Sequence, residues 1–138
     1  MSKIYVLDAC ALIAALSHEE GADKVENAYG EVASGEAEIV INIVNLLEVY
    51  YDDYRNNGKE FADEVVKAIE ESPTRIVSEI DKKIFAEAGR LKASYKISLA
   101  DSFALAQAKV TEGILLTSDH HEFDVIEENE PIQFLWIR

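Results

Sequence analysis

KIYVLDACALIAAL, residues 3–16, is the stretch on which the reading of the chain turns. Four β-favouring residues, Ile4, Tyr5, Val6 and Leu7, run into a single carboxylate, Asp8, and an Ala/Leu-rich segment follows. The first half has the length and side chains of a short buried strand, and the second has those of a helix. Asp8 therefore stands where strand becomes helix. A carboxylate there either caps the orphan N–H groups of the helix or lines a site, and the deciding question is whether the arrangement recurs.

Working outward, further strand candidates fall at residues 37–41, 74–78, 113–117 and 132–137. Helical periodicity fills roughly 9–17, 20–34, 43–56, 59–72, 81–95 and 99–112. Pro73 and Pro131 punctuate the chain just before two of the strands. Strands alternating with helices predict an α/β fold, a mostly parallel sheet of about five strands covered on both faces. Ligands in such sheets bind beyond the carboxyl ends of the strands, where Asp8 lies.

No repeat or Pro/Gly/Ser-rich linker divides the 138 residues, and with 49% hydrophobic composition they are expected to form one domain, residues 1–138. Cys10 is the single cysteine, so no internal disulfide forms and a reducing, cytoplasmic location is expected. No basic, apolar and small-residue leader pattern opens the chain, and no apolar run approaches the roughly 20 residues of a membrane span, so no membrane role is expected. The net charge of −14, from 27 acids and 13 bases, opposes ordinary nucleic-acid binding. That objection weakens if acids converge on divalent cations, which reverse the charge a phosphate meets. The same charge favours a basic protein partner.

The arrangement at Asp8 does recur. Within NIVNLLEVYYDDY, residues 42–54, Ile43, Leu46, Leu47, Tyr50, Tyr51 and Tyr54 form one apolar stripe, with Glu48 on its flank and Asn45 placed to share a capping box with it. In KISLADSFALAQAKV, residues 96–110, apolar residues surround the helix and Asp101 falls in its first turn, three residues after Ser98. An ionised carboxylate buried there costs several kcal/mol unless a partner or metal answers it. The strand GILLT ends in TSDHHEFD, residues 117–124, where Asp119 repeats the setting of Asp8 and Asp124 and Glu122 compete with it. His120 and His121, with no cysteine nearby, read as solvated loop residues rather than zinc ligands. Four carboxylates at one edge would repel one another unless cations intervened, and an oxygen-only donor set suits Mg²⁺ or Mn²⁺.

These segments, VLDACAL, VNLLEV, SLADSFALA and LLTSDHHEF, taken in order, resemble the PIN-domain nucleases, and among them the small VapC-like toxins of toxin–antitoxin pairs. The likeness spans nearly the whole chain. It implies a three-layer α/β/α fold and a Mg²⁺- or Mn²⁺-dependent endoribonuclease, with Asp8, Glu48, Asp101 and Asp119 as the acidic quartet. It also implies an RNA substrate, a homodimer and a basic-tailed antitoxin. Thr117 matches the hydroxyl two residues before the last acid, Ser118 is an additional candidate, and Cys10 stands where such proteins often carry a small hydroxyl or amide residue.

In the chemistry this implies, Asp8 and Asp101 hold the principal ion, and Glu48 and Asp119 ligate through water or complete a second site. Arg90, Lys92 and Lys96 are candidates for phosphate contacts, against the plainer reading of a solvated helix face. Tyr50, Tyr51, Tyr54 and Phe61 are expected chiefly in the core. Cys10 occupies the place of the second aspartate required by haloacid-dehalogenase-type phosphatases, receiver domains need a paired acidic start that is missing, and no phosphate-binding glycine loop is present. The competing function is a non-catalytic or weakly active module that keeps the acids to bind a basic partner or RNA.

Overall fold

The computed structural model describes residues 3–138. The strands are β1 (Lys3–Leu7), β2 (Ala37–Asn42), β3 (Thr74–Val77), β4 (Ile114–Thr117) and β5 (Gln133–Trp136). The helices are α1 (Ala9–Leu16), α2 (Ala22–Ala33), α3 (Ile43–Asn57), α4 (Lys59–Glu71), α5 (Lys82–Ser94), α6 (Leu99–Thr111) and α7 (His120–Asn129). The sheet runs in the order β3-β2-β1-β4-β5, and every pairing is parallel. Among the described residues no helix is long and apolar enough to cross a membrane.

Alternation along the strands makes two cores. Tyr5 and Leu7 of β1, Ile39 and Ile41 of β2 and Leu116 of β4 pack beneath α1 to α4. Val6, Val40 and Leu115, the intervening residues, pack beneath α5, α6 and α7 with Leu91, Leu105, Phe123 and Ile126. The period of two sends neighbouring side chains to opposite faces, and both faces must be apolar because helices cover both. The result is the expected three-layer α/β/α architecture.

Two departures from the sequence reading bear on the site. Asp119 reads as the start of a helix but no helical span follows it from the periodicity, and His120 and His121 read as loop residues; residues 120–129 form α7, whose polar first turn hides its period until Phe123 and Ile126. The apolar stripe of α3 turns mostly outward. Asn45, Leu46 and Val49 are buried, whereas Leu47 is 55% exposed and Tyr51 and Tyr54 are each 47% exposed. Tyr51 and Tyr54 are thus surface features rather than core, because the face of α3 that meets the rest of the molecule is the one carrying Asn45, Leu46 and Val49.

Candidate metal centre at the strand ends

In this strand order β1 leads to β2 on one side while β4 lies on the other, so a crevice opens beyond the carboxyl ends of β1 and β4. Topological switch points of this kind are where doubly wound sheets bind ligands. Asp8 follows β1 and Asp119 follows β4 by two residues. Each is the N-cap of the next helix: the Asp8 carboxylate accepts from the Ala11 N–H at 2.8 Å, and that of Asp119 from the Glu122 N–H at 3.2 Å. The capping and site readings are therefore compatible at both positions.

Asp8 is only 2% exposed. Burial pushes its carboxyl up to about 7; hydrogen bonds from Thr117 and the Ala11 N–H oppose the rise, and the charges of Asp101 and Asp119 add to it. Asp101 is half-buried in the first turn of α6, where the Ser98 hydroxyl caps the helix by accepting from its N–H at 3.1 Å. Burial raises its carboxyl to about 6, Ser98 opposes, and Asp119, Glu48 and Glu122 reinforce. Burial also raises Glu48, against a hydrogen bond from Asn45. Cys10, in the first turn of α1, has its thiol pushed up to about 12, by loss of solvent around the sulfur first and then by the charges of Asp8, Asp119, Asp101 and Glu48. All four acids thus lie close enough to act on the one Cys10 thiol, with no cation among the groups that shift them.

The plainer reading of Glu48 pairs it with Asn45 in a capping box, which would put Asn45 at the start of α3. Asn42 holds that place instead, its Oδ1 accepting from the Val44 N–H at 2.9 Å. Asn45 sits a turn further on, fully buried, and its Nδ2 donates to Glu48 Oε1 at 3.4 Å and to the Ala100 carbonyl at 3.0 Å. It ties the helix of Glu48 to the helix of Asp101, and its Oδ1 finds no partner among the described residues. Asn45 is the residue the sequence reading undervalued; an amide inside an apolar stripe, one turn from an acid, was the available signal. Thr117, also fully buried, orients the last acid by accepting from the Asp119 N–H at 3.1 Å. Ser118 is half-buried, and its carbonyl accepts from the His120 N–H at 3.0 Å.

The structure leaves several candidates outside this cluster. Arg90 is ion-paired to Glu87 at 2.8 Å and to Glu130 at 2.6 Å. Glu130 caps the far end of α7, about 16 Å from Asp119 at the helical rise, so Arg90 is held away from the acids. Two carboxylates hold its guanidinium. Lys92 and Lys96 are exposed on the approach to α6. Asp124 is exposed and bonded to His120 Nδ1 at 2.9 Å. His120 is no loop residue: it opens α7 and stacks on Trp136, with ring centroids 3.7 Å apart.

Among the described residues no three His, Cys, Asp or Glu side chains already stand at ion-binding distance. The donor set nevertheless fits a hard cation that retains much of its water, because such ions are held by few direct carboxylates. The unpartnered Asn45 Oδ1 and the mutually repelling acids are the groups that such an ion and its waters would satisfy.

Fold and site together define an α/β/α domain with a carboxylate centre at its switch point. A family profile described as "PIN domain" matches residues 5–129, and the chain belongs to that family. No curated protein sequence matches it significantly. Among solved structures it is similar to a toxin–antitoxin complex from Klebsiella pneumoniae (18% identity, TM-score 0.70, covering 97% of this chain and 98% of that one). It is also similar to DNA-bound VapBC from Salmonella typhimurium (16%, TM-score 0.74, 100% of both chains). A third is Mycobacterium tuberculosis VapC20, a sarcin–ricin loop cleaving toxin (12%, TM-score 0.63, 91% and 95%).

Proposed function

We propose that this protein is a Mg²⁺- or Mn²⁺-dependent endoribonuclease and the toxin of a toxin–antitoxin pair, acting in the cytoplasm. The observation that carries the reading is that Asp8, Glu48, Asp101 and Asp119 all lie near enough to Cys10 to act on its thiol, in a PIN-family chain. The resemblance to VapBC assemblies and to a toxin that cleaves RNA supports it.

A bound divalent ion supplies an activated water and a counter-charge for the scissile phosphate. Asp8 and Asp101 would be its principal holders, and Glu48 and Asp119 would ligate it through water or hold a second ion. The Ala11 N–H fixes one oxygen of Asp8, Thr117 positions Asp8 and Asp119, and Asn45 keeps Glu48 turned toward Asp101. A bound cation would favour the ionised forms of Asp8 and Asp101, whose protons would leave for solvent as it bound.

The antitoxin is assigned to the groove between α1 and the α3–α4 pair. Its apolar floor includes Leu16, Val49 and Phe61, and its rim carries Glu19, Asp52 and Asp53. Apolar anchors flanked by Lys or Arg, from a basic-tailed partner, match that pattern. Homodimer formation is assigned to the apolar cleft lined by Ile43, Val44, Leu47, Tyr50 and Val66. Sedimentation of Leu47→Asp should show a monomer; an unchanged dimer would move the interface elsewhere.

The test of the activity is incubation of the purified protein with single-stranded and structured RNAs, with and without Mg²⁺ or Mn²⁺, beside Asp101→Asn. Cleavage should need the metal and fall to background in the variant. No cleavage of any RNA by antitoxin-free protein would leave the non-catalytic binding module as the reading.

A further inference from the structure

Asn42, Asn45 and Glu48 stand three residues apart, so one face of α3 carries two amides and then an acid. Both amides reach across to α6. Asn42 Nδ2 donates to Gln107 Oε1 at 3.1 Å, and Asn45 Nδ2 donates to the Ala100 carbonyl at 3.0 Å. Asn42 and Asn45 are fully buried and Gln107 is 2% exposed, so two polar tethers cross a contact that apolar side chains ordinarily make.

The tethers differ in what they leave over. Asn42 uses both ends of its amide, because its Oδ1 accepts from the Val44 N–H. Asn45 does not. Its Nδ2 is shared between the Ala100 carbonyl and Glu48 Oε1, the latter at 3.4 Å, and its Oδ1 accepts from no group among the described residues. A buried acceptor without a donor weakens a fold, and an apolar side chain of the same shape would avoid that cost. An amide kept in such a place calls for a role outside folding. Its surroundings supply one: the amide lies between the Glu48 carboxylate and the residue that precedes Asp101, and the charge of Glu48 reaches Asp101 itself. Gln107 lies six residues past Asp101, about 9 Å further along α6 at the helical rise.

Resting on the metal-centre reading above, we infer that Asn45 is a positioning residue of that centre: Nδ2 fixes Glu48 relative to Asp101, and Oδ1 accepts from a water in the shell of the cation they hold. Hard cations that keep much of their water are gripped partly through such outer contacts, and side chains bonded to ligating carboxylates set their orientation. The Asn42–Gln107 tether joins the same two helices by the same chemistry but bonds no acid, so its role ends with packing.

The experiment titrates Mn²⁺ calorimetrically into the whole purified chain, without RNA, and records melting temperatures in EDTA for the parent, Asn45→Leu and Gln107→Leu. Asn45→Leu should weaken Mn²⁺ binding by about tenfold or more, as loss of an outer partner of a metal ligand does. Its metal-free melting temperature should stay level with the parent's or rise. Gln107→Leu should do the opposite, melting earlier because Asn42 Nδ2 is orphaned, with Mn²⁺ affinity unchanged. Should Asn45→Leu not fold, Asn45→Ala is titrated below its own melting temperature, with the same loss expected. Equal Mn²⁺ affinities in the parent and the folded Asn45 variant would overturn the inference, as would equal losses in the Asn45 and Gln107 variants, which would make both tethers plain packing. A parent that takes up no Mn²⁺ would overturn it together with the centre. The nuclease reading fails separately. Mn²⁺ affinity that depends on Asn45 in a protein that cleaves no RNA keeps the positioning role and removes the activity; metal-dependent cleavage lost in Asp101→Asn, with Mn²⁺ affinity unaltered in Asn45→Leu, does the reverse.

Discussion

The Asp8 carboxyl, held at about 7 by burial, binds a proton in the folded protein at pH values where the unfolded chain has lost it. Stability of the metal-free protein should therefore fall as pH rises from about 4 to about 7, the opposite of a salt-bridged acid. Asp8→Asn removes that penalty. At pH 8 without metal it should be more stable by on the order of 2 kcal/mol, and its melting temperature should lose most of the pH dependence seen in the parent. A parent melting temperature that rises through this window would refute the assignment. Mg²⁺ or Mn²⁺ should raise the parent's melting temperature at pH 8, with little effect at pH 5, where Asp8 and Asp101 hold protons, and none in Asp101→Asn. At this scale the four acids were readable because each interrupts an apolar run at a strand end or early in a helix. Asn45 was not, since its amide works across space, toward Ala100, and linear spacing does not display that contact.

Where β2 passes into α3, Asn42 does two jobs: it caps the helix and donates through Nδ2 to Gln107 Oε1 on α6 at 3.1 Å, both residues being buried. Asn42→Ala should cost about 2–3 kcal/mol in urea unfolding, from a lost cap and an orphaned amide. Asn42→Asp, which keeps the cap, should cost more than a cap-only account allows. Gly21, before α2, has φ +96°, and a Cβ there would lie 2.6 Å from the Ile137 carbonyl oxygen. Gly21→Ala should destabilise by more than the usual glycine penalty of about 1 kcal/mol. The alternation of strands and helices was legible because both periods are strong over most elements. Helix α7 escaped because Asp119, His120, His121 and Glu122 give its first turn no apolar side, and the outward turn of α3 escaped because periodicity identifies a stripe without saying what faces it.

Across the whole molecule, 27 acids against 13 bases leave a repulsion that counter-ions relieve. Moderate salt should raise the melting temperature of the free protein while slowing its association with a basic partner, because screening acts on both. An association rate indifferent to salt would exclude charge-guided docking at the Glu19, Asp52 and Asp53 rim. The fold class followed from the chain's pattern of elements, whereas the ordering of the sheet needed coordinates, since parallel strands pair far from their neighbours in sequence. That ordering governs synthesis. Of the five strands β1 is made first yet occupies the middle of the sheet, and one of its two flanks is β4, made more than a hundred residues later. A nascent chain holding Asp8, Glu48 and Asp101 still lacks Asp119 and the strand that fixes it, so under the nuclease reading proposed above the acidic cluster is incomplete until the last quarter of these residues has been made.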